Sequence, residues 1–260
     1  MNRWTELSIE FANQRNYLDE LFKVYPTIPE GIRDIDKAIW KRIETAYEKR
    51  DDIELISNLL RLKLFPIKDS YVAYLKRDPS AIKRNPLTIS RLCGRLYEMG
   101  LDKIFDRCTE PKETNRQIGP MFRNWFTSGA IGLKVMHFSQ FSSSDENGIL
   151  NGGDAELMSF AKTHLNYNHP KGLDFICRIN KKYVIGEAKF LTDFGGHQNA
   201  QFNDAMRVVT QKGVNAIIIA VLDGVLYIKG KSKMHKDLLH YSQNYNIMSA
   251  LVLREYIYQV

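Results

Sequence analysis

Two acidic residues and one lysine of this chain have the types and spacing for phosphate chemistry. Asp174 lies at the start of an apolar, β-prone run, Leu173 to Ile179, and Glu187-Ala188-Lys189 lies in a second such run, Tyr183 to Phe190. Asn180-Lys181-Lys182 joins the runs, and two β-prone segments around a tight polar turn predict a hairpin. Side chains alternate faces along a strand, so Glu187 and Lys189 share one face and Ala188 takes the other. Asp174, near the start of the partner strand, falls beside Glu187 in an antiparallel pairing. Two close carboxylates repel unless a cation sits between them. Hard oxygen ligands suit Mg2+, which keeps several waters and binds phosphate oxygens readily. A lysine beside such an ion can orient water or neutralise charge that builds on a phosphate. This is a chemistry for cutting phosphodiester bonds.

The spacing Glu-x-Lys is common by itself, and this chain holds a second copy as a control. Glu110-Pro111-Lys112 has the same spacing, but its proline cannot donate to a central strand and no apolar run precedes it. The bland reading of Glu187 and Lys189 is an ion pair on a solvated strand. Asp174 on the partner strand argues against it. With Asp174 as first acid, Glu187 as second and Lys189 as motif lysine, the segment resembles the PD-(D/E)xK nuclease superfamily. It departs from the usual pattern where Leu173 stands in place of proline, preceded by Gly172. Together with residues 65–86, 113–125 and 186–202, it makes the chain resemble a type II restriction endonuclease.

That resemblance implies an α/β, restriction-endonuclease-like core, a mixed central sheet flanked by helices, here with a helical N-terminal region. It implies Mg2+ held by Asp174 and Glu187, with the Ala188 carbonyl as a further ligand and Lys189 positioning the attacking water. It also implies double-stranded DNA as substrate and a homodimer, since two-fold symmetry is the simple way to cut both strands of a palindromic site. Superfamily members often place a further acid on a helix before the hairpin, and Glu156 and Glu113 are the candidates. For each, a surface or capping role is the competing reading.

Composition is compatible with this. The chain has 260 residues, 44% hydrophobic and 26% charged, with net charge +7, so it can bury a full core and carries a balance suited to a polyanion. Cys93, Cys108 and Cys177 are scattered and odd in number, which points to a reducing compartment and to no disulfide or zinc framework. No apolar run is long enough to span a membrane, and the N-terminus, MNRWTELSIEF, lacks the apolar core of a signal peptide. The expected location is the cytoplasm of a bacterial or archaeal cell.

The elements around the motif divide the chain into a helical, partly basic region, 1–112, and a catalytic domain, 113–260. In the first, Leu18, Leu21 and Phe22 mark one apolar helix face, and Ile35, Ile39, Ile43 and Ala46 another. Pro26-Thr27-Ile28-Pro29 separates them. Asp51 and Asp52 start a third helix. Asn85 as cap, Pro86 at the first helical position and Gly100 at the end predict a fourth. Basic residues dominate from Arg61 to Arg95, with only Asp69 and Asp78 opposing them. Lys83, Arg84, Arg91 and Arg95 are candidates for tracking DNA phosphates, against the reading of a merely solvated face.

In the catalytic region a helix spanning 113–125 should break near Gly119-Pro120. Residues 142–153 read as a long polar loop able to reach a DNA groove, and Asp154 as the cap of a helix through Leu157 and Phe160. Gly195 to Gln201 reads as a second loop, beside the cut backbone. His197, Gln198, Asn199 and Gln201 are its candidate base-reading residues, with helix capping the competing role for Gln198 and Asn199. Val214 to Leu222 reads as a buried strand and Val225 to Ile228 as another, after an Asp223-Gly224 turn. Met248 to Val260 closes the core or joins a dimer interface. Asp193-Phe194-Gly195 matches a kinase tripeptide but lacks the accompanying kinase loops, and His235 and His240 read as surface residues. Two rivals share these features: a junction-resolvase-like repair or recombination nuclease, and a DNA-binding module without catalysis. Discrete fragments from plain duplex exclude the first, and any metal-dependent cleavage excludes the second.

Overall fold

The computed structural model describes residues 1–26, 33–110 and 117–260. They belong to two compact units, one of residues 1–27 with 114–260, the other of residues 28–113. Glu113 and the Thr27-Ile28-Pro29 breaker lie outside the described residues.

The first unit opens with two helices, α1 (Arg3–Gln14) and α2 (Tyr17–Val24). They pack on the sheet of that unit: Thr5 donates its hydroxyl to the Ile247 carbonyl at 2.6 Å, and Ser8 accepts from the Ser249 N–H. The inward stripe of α2 is Tyr17, Leu21 and Val24, whereas Leu18 and Phe22 are exposed, so the buried face is rotated from the expected one. The tyrosine is inward because its hydroxyl has a buried partner, Asp223.

The second unit is helical. It comprises α3 (Lys37–Glu48), α4 (Asp52–Arg61), α5 (Ser70–Arg77), α6 (Ala81–Arg84), α7 (Pro86–Met99) and α8 (Leu101–Cys108). Asp36, Asp51 and Asp69 cap α3, α4 and α5 through their carboxylates. Pro86 takes the first position of α7 and Gly100 ends it at φ 83°. Asn85 holds the N-cap position of α7 but makes no side-chain bond to the helix; its amide donates instead to the Ala81 carbonyl. Ile43, Leu55, Ile56, Leu59, Leu92 and Leu96 form the core of the unit.

The chain then returns to the sheet unit through α9 (Ile118–Trp125). Gly119-Pro120 does not interrupt this helix but lies in its first turn, where a missing N–H costs no intrahelical bond. After a wide turn at Phe126–Ala130 come β1 (Val135–Met136), α10 (Phe138–Ser143), β2 (Gly148–Leu150) and α11 (Asp154–His164). Next are β3 (Phe175–Ile179), β4 (Lys182–Leu191), α12 (Gly196–Val209) and β5 (Ile217–Gly224). A 3-10 turn (Val225–Tyr227), α13 (Lys233–Tyr241), β6 (Asn246–Met248) and α14 (Ala250–Ile257) complete the chain. The strands line up in chain order, antiparallel through β2-β3-β4 and parallel at β1-β2 and β4-β5-β6. The result is a mixed sheet flanked by helices.

Three expectations need correction. The polar stretch 142–153 is not a free loop: it holds the last residues of α10 and the fully buried strand β2. Arg178, 1% exposed, staples it by donating to the carbonyls of Phe141 and Glu146 while stacking on the Phe141 ring. Val225 to Ile228 is a turn rather than a strand. Gly224, at φ 104°, swings the chain so close to Leu191 that a Cβ there would lie 2.0 Å from its carbonyl oxygen. His235 is buried, with Nδ1 2.8 Å from the Leu226 carbonyl oxygen. Met248 to Val260 does close the core, through Leu253 and Ile257. All three cysteines are free and buried.

Candidate active site

The hairpin turn is made by Asn180 and Lys181, both left-handed at φ 48° and 64°, the pairing that a two-residue turn needs to match strand twist. That turn sets the register, with Phe175 opposite Gly186. One step further along, the Asp174 carboxylate comes near enough to Glu187 for the two charges to interact. The Asp174 N–H donates to the Gly186 carbonyl, and its Oδ2 accepts from the Ala188 N–H at 2.8 Å. Glycine is required at 186 because a Cβ would lie 2.3 Å from the Ile219 carbonyl oxygen and against the Phe175 ring.

On the face that alternation assigns to them, Lys189 Nζ stands 2.5 Å from Glu187 Oε1. Glu187 is 7% exposed, and its other oxygen, Oε2, is buried with no hydrogen-bond donor. Burial pushes the carboxyls of Asp174 and Glu187 above the usual carboxylate range. The Ala188 N–H and Lys189 oppose the rise at Asp174, and Lys189 opposes it at Glu187. A buried acid with an unmet oxygen beside a second carboxylate fits a hard divalent cation. Among the described residues no group of three His, Cys, Asp or Glu forms a cage.

Two neighbours escape sequence reasoning. Gly119 of α9 packs on Asp174 so closely that a Cβ would lie 3.2 Å from Oδ1. One turn on, Arg123 places Nη2 3.7 Å from Asp174 Oδ1 and pairs through the same nitrogen with Asp154, the first residue of α11. The signal is an i, i+4 pair inside the 113–125 segment, invisible without the fold. Asp154 does not cap α11. Gly153 is the cap residue, and Glu156 takes its N–H at 2.8 Å, a capping role on an exposed turn.

The stretch 195–201 is not a loop but the start of α12. Gln198 is buried and bonds Thr192 through both ends of its amide. Asn199 donates to the Phe194 carbonyl, and Gln201 lies 3.3 Å from His197 Nδ1. The first two thus tie the helix start, and His197 is exposed beside them. Lys83, Arg84, Arg91 and Arg95 are exposed on the helical unit. Arg84 pairs with Asp78 at 2.6 Å and Arg91 with Asp69 at 2.7 Å, so the two opposing acids are already engaged.

A mixed sheet flanked by helices, with an acid-bearing hairpin at its centre, places the protein among restriction-endonuclease-like α/β proteins. The family comparison agrees over almost every residue. The model of the Tsp45I type II restriction enzyme family matches residues 2–260, and the chain belongs to that family. Membership implies a site-specific endonuclease activity with DNA as substrate, in a class that generally uses divalent metal ions. No curated protein and no solved structure matches it. Among the described residues no helix is long and apolar enough to cross a membrane.

Proposed function

We propose that the protein hydrolyses phosphodiester bonds of double-stranded DNA at a specific sequence, with Mg2+ held by Asp174, Glu187 and the Ala188 carbonyl. The observation that carries this reading is Glu187 Oε2, buried without a donor, beside Lys189 and near enough to Asp174 for the two charges to interact. When bound, the ion supplies Lewis-acid charge and lowers the pKa of a coordinated water. The remaining work falls to the chain. Asp174 is held by the Ala188 N–H, so its carboxylate faces one way before any ligand arrives. Lys189, fixed by Glu187, orients the attacking water and faces the charge that develops on the phosphate. The attack is in line, and a homodimer presents two such centres to the two strands.

The exposed basic side chains of the helical unit, Lys83 and Arg95 foremost, supply sequence-independent attraction to phosphates. The setting is the cell interior of a bacterium or archaeon. The test is to incubate the protein with a mapped plasmid and Mg2+ and to sequence the fragment ends. The reading predicts discrete fragments with one shared end sequence and none without the ion. Cleavage only of branched DNA would replace it with a junction-resolving activity, and no cleavage in Mg2+ or Mn2+ with a binding module.

A further inference from the structure

The catalytic centre as described uses one cation of the chain, Lys189. A second stands beside Asp174. Arg123 comes from α9, is about three-quarters buried by side-chain exposure of 26%, and points Nη2 at Asp174 Oδ1 from 3.7 Å. The same nitrogen pairs with Asp154, whose side chain is 76% exposed. Nε of Arg123 is buried and has no hydrogen-bond partner. A guanidinium carries five donors in a planar fork. Here one nitrogen serves two carboxylates and at least one buried donor is unspent. A purely structural arginine would have its buried donors matched, as Arg178 does with two carbonyls, the Ser144 hydroxyl and the Tyr183 hydroxyl. Asp174 is thus held on both carboxylate oxygens: Oδ2 by the Ala188 N–H, Oδ1 by the charge of Arg123.

We infer that Arg123 is a positioning residue of the cleavage centre, anchored by Asp154, which fixes the Asp174 carboxylate and adds a second positive charge to that of Lys189. The inference rests on Asp174 being a metal ligand. Two consequences have opposite signs. A fixed positive charge so near a ligand oxygen opposes a divalent ion, so free-enzyme metal affinity should rise when the charge is removed. Orientation of the carboxylate is lost at the same time, so the chemical step should slow. Supporting groups around metal ligands typically change activity by about 10–100-fold.

The experiment compares Arg123→Gln, Arg123→Lys and Asp154→Asn with the parent and with Asp174→Asn. Metal binding without DNA is read with Tb3+ luminescence and with Ca2+ competition. Single-turnover cleavage in Mg2+, duplex binding in Ca2+ and thermal unfolding complete the set. Expected for Arg123→Gln is a rate about 10–100-fold lower, with several-fold tighter metal binding, duplex binding kept and melting unchanged. Arg123→Lys should recover part of the rate, and Asp154→Asn should move both readouts in the same directions by less. Unchanged rate and metal affinity in Arg123→Gln overturn the inference, as does a fall of both together with lowered melting that Arg123→Lys does not restore. If Asp174→Asn itself leaves metal binding and cleavage intact, the assignment of the metal site fails first.

Discussion

Asp223 and Glu187 sit on neighbouring strands of one sheet, and the fold treats them differently. Asp223, fully buried at the end of β5, accepts from the hydroxyls of Tyr17, Tyr25 and Ser249 and from the Ala250 N–H. Glu187, on β4, has Lys189 on one oxygen and nothing on the other. Both acids are buried against their preference for water, and only one is fully matched. Donors drawn from α2 and α14 mark Asp223 as a pin that ties those helices to the sheet. The unmet oxygen of Glu187 is what the proposed metal site rests on. Burial alone does not tell the two acids apart, and the count of donors does.

The largest effect should separate the two acids. Asp174→Asn and Glu187→Gln remove a metal-binding charge at little steric cost, so cleavage should fall to the detection limit while thermal unfolding stays at or above the parent value. Binding to DNA in Ca2+ can persist. Cleavage near the parent rate in either variant would erase the distinction from Asp223.

Lys189→Ala comes next. Loss of a preorganised charge beside the phosphate should lower the single-turnover rate on the order of a hundredfold. Duplex affinity, set by many other groups, should hold. A binding defect with an unchanged chemical rate would move Lys189 out of the centre.

Asp223→Asn should do the reverse. Its amide cannot accept from all four donors, which costs about 1–3 kcal/mol of stability, and the rate per folded molecule should not change. The pH dependence sharpens this. Burial raises the Asp223 carboxyl from 3.8 to about 6. The folded state then keeps a proton that the unfolded chain has released, so the contribution to stability falls as pH rises from about 4 to about 6 and is fully lost above that. Denaturant midpoints across this range should decline less steeply in Asp223→Asn than in the parent. Parallel curves would show that Asp223 does not titrate there.

The smallest effect belongs to the helical unit. Lys83→Ala with Arg84→Ala should weaken cognate and non-cognate duplex alike. The salt dependence should flatten by about one unit of slope for each phosphate that is no longer neutralised. Arg84 already pairs with Asp78, so Lys83 should account for most of the change. An unchanged slope would turn this face away from DNA.

The hairpin is legible in the sequence because alternation and a two-residue polar turn leave one register, and that register brings Asp174 to the end of the ladder next to Gly186 and Glu187. What stays hidden depends on partners distant in sequence. Gly148-Ile149-Leu150 is too short to show a period and is a strand because β1 and β3 flank it. Nothing in the sequence marks Arg178 as buried, and the carbonyls of Phe141 and Glu146 with the hydroxyls of Ser144 and Tyr183 make its burial tolerable. Gly195-Gly196 reads as a loop, yet α12 starts there with Gln198 folded back on Thr192. Arg123 meets Asp174 only through the packing of α9.

The most direct measurement is a crystal of the protein soaked in Mn2+, with the ion located by anomalous scattering. The account predicts a peak within coordination distance of Asp174 and of Glu187 Oε2, absent from crystals of Glu187→Gln. A peak elsewhere in the sheet unit, or one that survives that substitution unchanged, would contradict it.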